Sequence, residues 1–210
     1  MPGDNTKVQL AIQGGGAKLF ALVAAADAIA ALKGDNGSGF ELSRVAGTSA
    51  GAIVAAALAA DVAPSTLRAR LTSISINQVA GKRFSSWPLK YWQRIRAGLR
   101  LLLNIPLANM EPIRAALSDV IGEALGVDDG LKVKFKDLTI PCFVIAADVS
   151  RADGIELGGL ESDEFVVDAV LDSCAIPFFF RLPAENQNPR MDGGISTSLA
   201  TRTLLREESD

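Results

Sequence analysis

The 210-residue chain contains no histidine. That absence excludes the imidazole-based triads that activate most serine and cysteine nucleophiles, and it removes the commonest nitrogen ligand from any zinc site. Only two cysteines occur, Cys142 and Cys174, both in apolar surroundings. They build no disulfide framework and, without histidine, no metal centre; both are expected as inert core thiols of a protein from a reducing compartment. No cofactor motif is complete, so neither metal nor cofactor is expected. The longest run of small apolar residues, 50–60, falls well short of the ~20 needed to span a bilayer. The N-terminus shows no basic stretch leading into an apolar one, so no secretory signal is expected. A cytoplasmic location follows, with peripheral contact at a membrane left open.

Acidic residues are missing from one long stretch. Between Asp61 and Glu111 there is no Asp or Glu, while Arg68, Arg70, Lys82, Arg83, Lys90, Arg94, Arg96 and Arg100 add eight positive charges. Since the chain as a whole carries −3, the remainder carries −11. A basic segment in an otherwise acidic protein points to a surface for an anionic partner.

What is present fits a soluble globular fold. Hydrophobic residues make up 49% and charged residues 21%, enough to bury a core without staples. A single domain over residues 1–210 is expected, complete or cut short at its C-terminus. Residues 7–12 form a short apolar run that ends in glycines, a first strand, and 18–32 is an Ala/Leu-rich helix. A turn-rich loop, 34–39, precedes a brief strand at 44–47 and a helix of small residues at 50–60. Helices are expected at 64–75, 87–103, 111–125 and 164–173, a buried strand at 140–147, and an edge strand at 132–136, where lysines alternate with apolar residues. Strands alternating with helices imply an α/β fold, with a central, mostly parallel sheet flanked by helices.

Three segments carry chemistry. Gly47-Thr48-Ser49-Ala50-Gly51 is a Gly-x-Ser-x-Gly turn between a strand and a helix, the setting of a nucleophile elbow. Gly14, Gly15 and Gly16 follow the first strand and expose a row of backbone N–H groups suited to an oxyanion. The rival uses of such a loop fail in detail: Leu19 stands where a dinucleotide fingerprint needs glycine, and Ala17-Lys18-Leu19 does not close a P-loop. The third segment is Asp192-Gly193-Gly194. Alone it reads as an ordinary tight turn. With no histidine to hand, Asp192 becomes the candidate base for Ser49, provided the site is closed enough to water to make a carboxylate effective.

Taken in order, Gly-Gly-Gly-Ala-Lys, Gly-Thr-Ser-Ala-Gly and Asp-Gly-Gly resemble the patatin-like phospholipase family. Phe135 to Asp148 and Asp168 to Pro177, the latter containing Ser173-Cys174-Ala175-Ile176-Pro177, extend the resemblance to about residues 7–200. It implies a Ser–Asp dyad with Ser49 as nucleophile and Asp192 as base, an oxyanion hole at Gly14, Gly15 and Gly16, no metal, and hydrolysis of lipid acyl esters. Acyl transfer to an alcohol on the same dyad, or a catalytically silent module that docks a membrane or partner, are the alternatives. The expected substrate is a phospholipid or another acyl ester. Segment 82–103 interleaves Trp87, Tyr91 and Trp92 with six basic residues; it suits an anionic lipid surface, or else packs its apolar stripe on the sheet. Nucleic acid is not expected as a partner, because the chain is acidic overall and lacks a recognition motif.

Overall fold

The computed structural model describes residues 6–32, 40–75, 78–79, 107–180 and 190–205. Five strands form one mixed sheet: β1 (Thr6–Ile12), β2 (Phe40–Thr48), β3 (Cys142–Asp148), β4 (Asp153–Gly158) and β5 (Arg190–Asp192). The first three run parallel, with Ile12 opposite Gly47 and Thr48 opposite Ile145. β4 returns antiparallel along one edge of β3, from Asp148↔Asp153 to Phe143↔Gly158. β3 is buried along almost its whole length, which is why it reads as an unbroken apolar run.

β5 settles the geometry of everything that follows. It pairs antiparallel with Ala146, Ala147 and Asp148. Because β4 fills the far edge of β3, β5 must lie on the β2 edge, in line with β2. β2 stops opposite Ile145 and β5 stops opposite Ala146. The two strands therefore approach each other head-on along β3, and their ends, Thr48 and Asp192, face each other across one register step.

Helices flank this sheet: α1 (Leu19–Leu32), α2 (Ala50–Ala59), α3 (Pro64–Ser73), α4 (Glu111–Leu125), α5 (Val166–Ser173) and α6 (Thr201–Leu205). α2 is the central one. It has no charged residue, and nine of its ten residues are buried, so its small side chains let it lie close on β2 and β3. α4 begins with Pro112 in its first turn and ends at Gly126, whose φ of 67° is the left-handed stop that glycine supplies without strain. The main core lies on the α2 and α5 face of the sheet. A smaller cluster on the other face packs Ala46 and Ile145 under Ala200 and Leu204, the latter on α6.

One expected element is corrected. Residues 132–136 are not an edge strand. They belong to two 3-10 turns, Gly130–Lys132 and Phe135–Asp137, with only Lys134 bridging to Phe165. The alternation is real, since Val133 and Phe135 are buried, but local carboxylates take the backbone donors first. Asp129 Oδ1 accepts from Leu131 N–H at 3.0 Å, and Asp137 Oδ2 accepts from Lys134 N–H at 2.9 Å. Loop 34–39 and the basic segment 82–103, with its expected helix, lie outside the described residues.

Candidate active site

β2 enters the site through Thr48 and turns sharply at Ser49 into α2. Ser49 adopts φ 53° and ψ −124°, a conformation that costs a non-glycine residue roughly 1–3 kcal/mol and persists only where its surroundings hold it. The two flanking glycines permit the turn. A Cβ on Gly47 would collide with the Gly51 carbonyl, and one on Gly51 would collide with the Ile12 carbonyl at the end of β1. The Gly-x-Ser-x-Gly spacing thus lets α2 start directly against β1 and β2, with the positive end of its dipole at Ser49.

The Ser49 hydroxyl donates to Asp192 Oδ2 at 2.7 Å. The other carboxylate oxygen, Oδ1, accepts from Gly194 N–H at 2.7 Å. Both side chains belong to residues only 8% exposed. The carboxylate is thus held from behind by the Asp-Gly-Gly turn and presents one oxygen to the serine. The pair anticipated from sequence, far apart in the chain, is in direct contact.

The glycine loop closes the other side. Gly14, Gly15 and Gly16 line a cleft of about 340 Å³ together with Ser49, Asp192, Ile176, Pro177 and Ile195. Gly15 sits at φ 141°, which only glycine adopts readily. The three amides are not equivalent. Gly14 N–H donates to Ser198 O at 2.9 Å, whereas the N–H groups of Gly15 and Gly16 have no acceptor among the described residues. Gly14 therefore ties the loop to the segment after β5, and its two neighbours are the amides left without an acceptor among the described residues.

Two residues matter here for which the sequence offered no role. Ser173, fully buried at the end of α5, accepts from Ser49 N–H at 2.8 Å and donates to Ile145 O at 2.5 Å. Cys174 is buried, as expected, yet it is not remote core. Burial pushes its thiol up, the Asp192 carboxylate adds to that, and the Ser49 hydroxyl, within hydrogen-bond reach, acts against both. The sequence signal for Ser173 was its place in the Ser173-Cys174-Ala175-Ile176-Pro177 segment of the family resemblance, which gave it no role. Among the described residues no cluster of His, Cys, Asp and Glu could hold a metal ion, and no helix is long and apolar enough to cross a membrane.

The chain is similar to several known proteins. The uncharacterized protein YqhO of Bacillus subtilis (strain 168) is 32% identical over 172 residues, which cover 80% of this chain and 55% of YqhO. The chain thus spans about half the length of the curated relative it matches. Among solved structures, that of full-length ExoU with full-length SpcU, from the type III secretion system of Pseudomonas aeruginosa, aligns with a TM-score of 0.50 at 20% identity, over 87% of this chain and 40% of that one. That likeness is one of fold. VipD from Legionella pneumophila aligns at a TM-score of 0.47 and 16% identity, over 93% of this chain and 47% of its own. The family model for patatin-like phospholipase matches residues 10–205, nearly the whole sequence, and the chain belongs to that family.

Proposed function

We propose that the chain is a serine lipid acyl hydrolase that cleaves fatty-acyl esters, phospholipids among them, through an acyl-Ser49 intermediate with Asp192 as base. The observation that carries this is the 2.7 Å hydrogen bond from the Ser49 hydroxyl to Asp192 Oδ2, in a cleft edged by the Gly15 and Gly16 amides, which have no acceptor among the described residues. Family membership and the apolar walls of Ile176, Pro177 and Ile195 support an acyl chain as the occupant.

The geometry supports the following steps. Ser49 Oγ attacks the ester carbonyl carbon while its proton passes to Asp192 Oδ2. The carbonyl oxygen, now an oxyanion, is met by the N–H groups of Gly15 and Gly16; each well-placed donor of this kind is worth roughly 3 kcal/mol of transition-state energy. The carbon–oxygen bond to the leaving alcohol breaks, and that oxygen takes the proton back from Asp192. Water then attacks the acyl-enzyme, giving its proton to the same carboxylate, and the fatty acid leaves as Ser49 regains its hydrogen. The basic segment 82–103 serves as the contact with an anionic lipid surface.

A fluorophosphonate probe tests the reading. The expected result is covalent labelling that disappears in Ser49→Ala, together with fatty-acid release from phospholipid vesicles measured by mass spectrometry. A well-folded chain that takes no label and releases no fatty acid would refute it.

A further inference from the structure

We infer that the end of α5 is the template that sets the spacing of the dyad, and that Ser173 is the positioning residue for the nucleophile; this rests on the hydrolase reading above. Three consecutive residues touch both partners. Ser173 Oγ accepts from Ser49 N–H at 2.8 Å. Two residues on, Ala175 O accepts from Asp192 N–H at 3.0 Å. Between them, the Cys174 thiol meets the Ser49 hydroxyl and the field of the Asp192 carboxylate. A single short stretch of backbone therefore grips the nucleophile by its amide and the base by its amide.

Ser173 is more than one contact in that grip. At Ser49 the chain leaves β2, so its N–H has no strand partner, and the residue is 8% exposed. A buried amide needs an acceptor. Ser173 Oγ supplies it and donates its own hydrogen bond to Ile145 O at 2.5 Å, on the strand residue that pairs with Thr48. The hydroxyl is thereby oriented, with its hydrogen committed to β3 and a lone pair committed to the elbow. The strained φ of Ser49 is held by this bond and by the α2 helix that follows. It also removes Ser49 N–H from the pool of oxyanion donors. Alanine at 173 takes the acceptor from Ser49 N–H and one donor from Ile145 O, frees the elbow to relax, and lets the hydroxyl swing away from Asp192.

The test compares the full chain with Ser173→Ala, Ser173→Thr and a control, Leu67→Ala, which opens the core under α3 away from the cleft. The readouts are kcat and KM on a p-nitrophenyl acyl ester, melting temperature, and hydrogen exchange at the Ser49 amide by NMR. Ser173→Ala is expected to lose kcat by roughly 100-fold, the effect of a misplacement near 1 Å, with KM changed by less than about twofold. Its Ser49 amide is expected to exchange about tenfold faster or more, as loss of a buried acceptor implies. Ser173→Thr restores the hydroxyl and most of the rate, and Leu67→Ala lowers the melting temperature with kcat retained. Wild-type kcat in Ser173→Ala, an unchanged Ser49 amide, or an equal kcat loss in Leu67→Ala would overturn the inference. Should the unaltered chain neither hydrolyse the ester nor take a fluorophosphonate, it is the hydrolase reading that fails, and Ser49 amide exchange still decides whether Ser173 holds the elbow.

Discussion

A carboxylate serves a serine directly only when it is held at contact distance and turned the right way. Asp192 meets both conditions through the Gly194 amide on one oxygen and the Ser49 hydroxyl on the other. Asp192→Asn keeps the shape and the acceptor for Gly194 but removes the proposed base. Its kcat is expected to fall by roughly 10²–10⁴, the usual worth of a positioned general base, with an unchanged circular dichroism spectrum; near-normal turnover would show that the proton goes elsewhere. Thr48 offers a second case. Its hydroxyl is wholly buried and is the one buried side-chain polar atom without a partner among the described residues. An unsatisfied buried hydroxyl costs about 1–3 kcal/mol, so Thr48→Val is expected to raise the melting temperature. A lower melting temperature in thermal denaturation would mean that the hydroxyl is satisfied in solution.

At the scale of elements, legibility followed the range of the forces. Gly47 and Gly51 were readable because a helix lying against a strand at that distance excludes any side chain, whatever the rest of the protein does. β5 was not readable. It has three residues, only one of them a buried hydrophobic, Met191, and it is a strand because β3 offers a free edge beyond Ile145. Ser173 was quoted in a motif but could have no role until α5 was set against the Ser49 turn. The 3-10 turns at 130–137 arise from competition between side chain and ladder, which alternation alone does not register. The same region yields a pH prediction. Lys134 and Lys136 both reach Asp163 Oδ1 at 2.8 Å, joining the second 3-10 turn to the loop before α5. Hydrogen bonds from the two lysines hold the Asp163 carboxyl down at about 2, and the Asp163 contact raises Lys136 above its ordinary 10.5. A lowered carboxylate stabilises the fold above its unfolded value and stops doing so as pH falls through about 2. A raised lysine stabilises below its unfolded value and stops doing so as pH climbs past its folded one. Asp163→Asn should therefore melt lower than the parent at neutral pH, with the gap closing towards pH 2 and again at strongly alkaline pH. A gap that stays constant from neutral to pH 2 in melts followed by circular dichroism would remove the ion cluster as its cause.

At the scale of the whole molecule, charge is segregated along the chain: eight positive charges and no acid between Asp61 and Glu111, against −11 elsewhere. On the proposed reading, an anionic surface attracts the first region and repels the second. Six of the basic residues fall within 82–103, beside Trp87, Tyr91 and Trp92, residue types that favour the headgroup layer. Each Lys or Arg at such a surface contributes about 1 kcal/mol, and with a Debye length of about 10 Å at 0.1 M salt the attraction fades as salt rises. The chain is therefore expected to sediment with phosphatidylserine-containing vesicles at low salt, and weakly with phosphatidylcholine alone. Neutralising Arg94 and Arg96 together should weaken that binding by about 2 kcal/mol, on the order of 30-fold, while fluorophosphonate labelling of Ser49 in detergent-free buffer stays at the parent rate. Ser49→Ala should bind the vesicles as the parent does, because the proposed surface contact and the proposed nucleophile are different residues. Equal binding to zwitterionic vesicles, or binding indifferent to salt, would place the membrane contact outside this segment and leave the dyad to find its substrate by another surface.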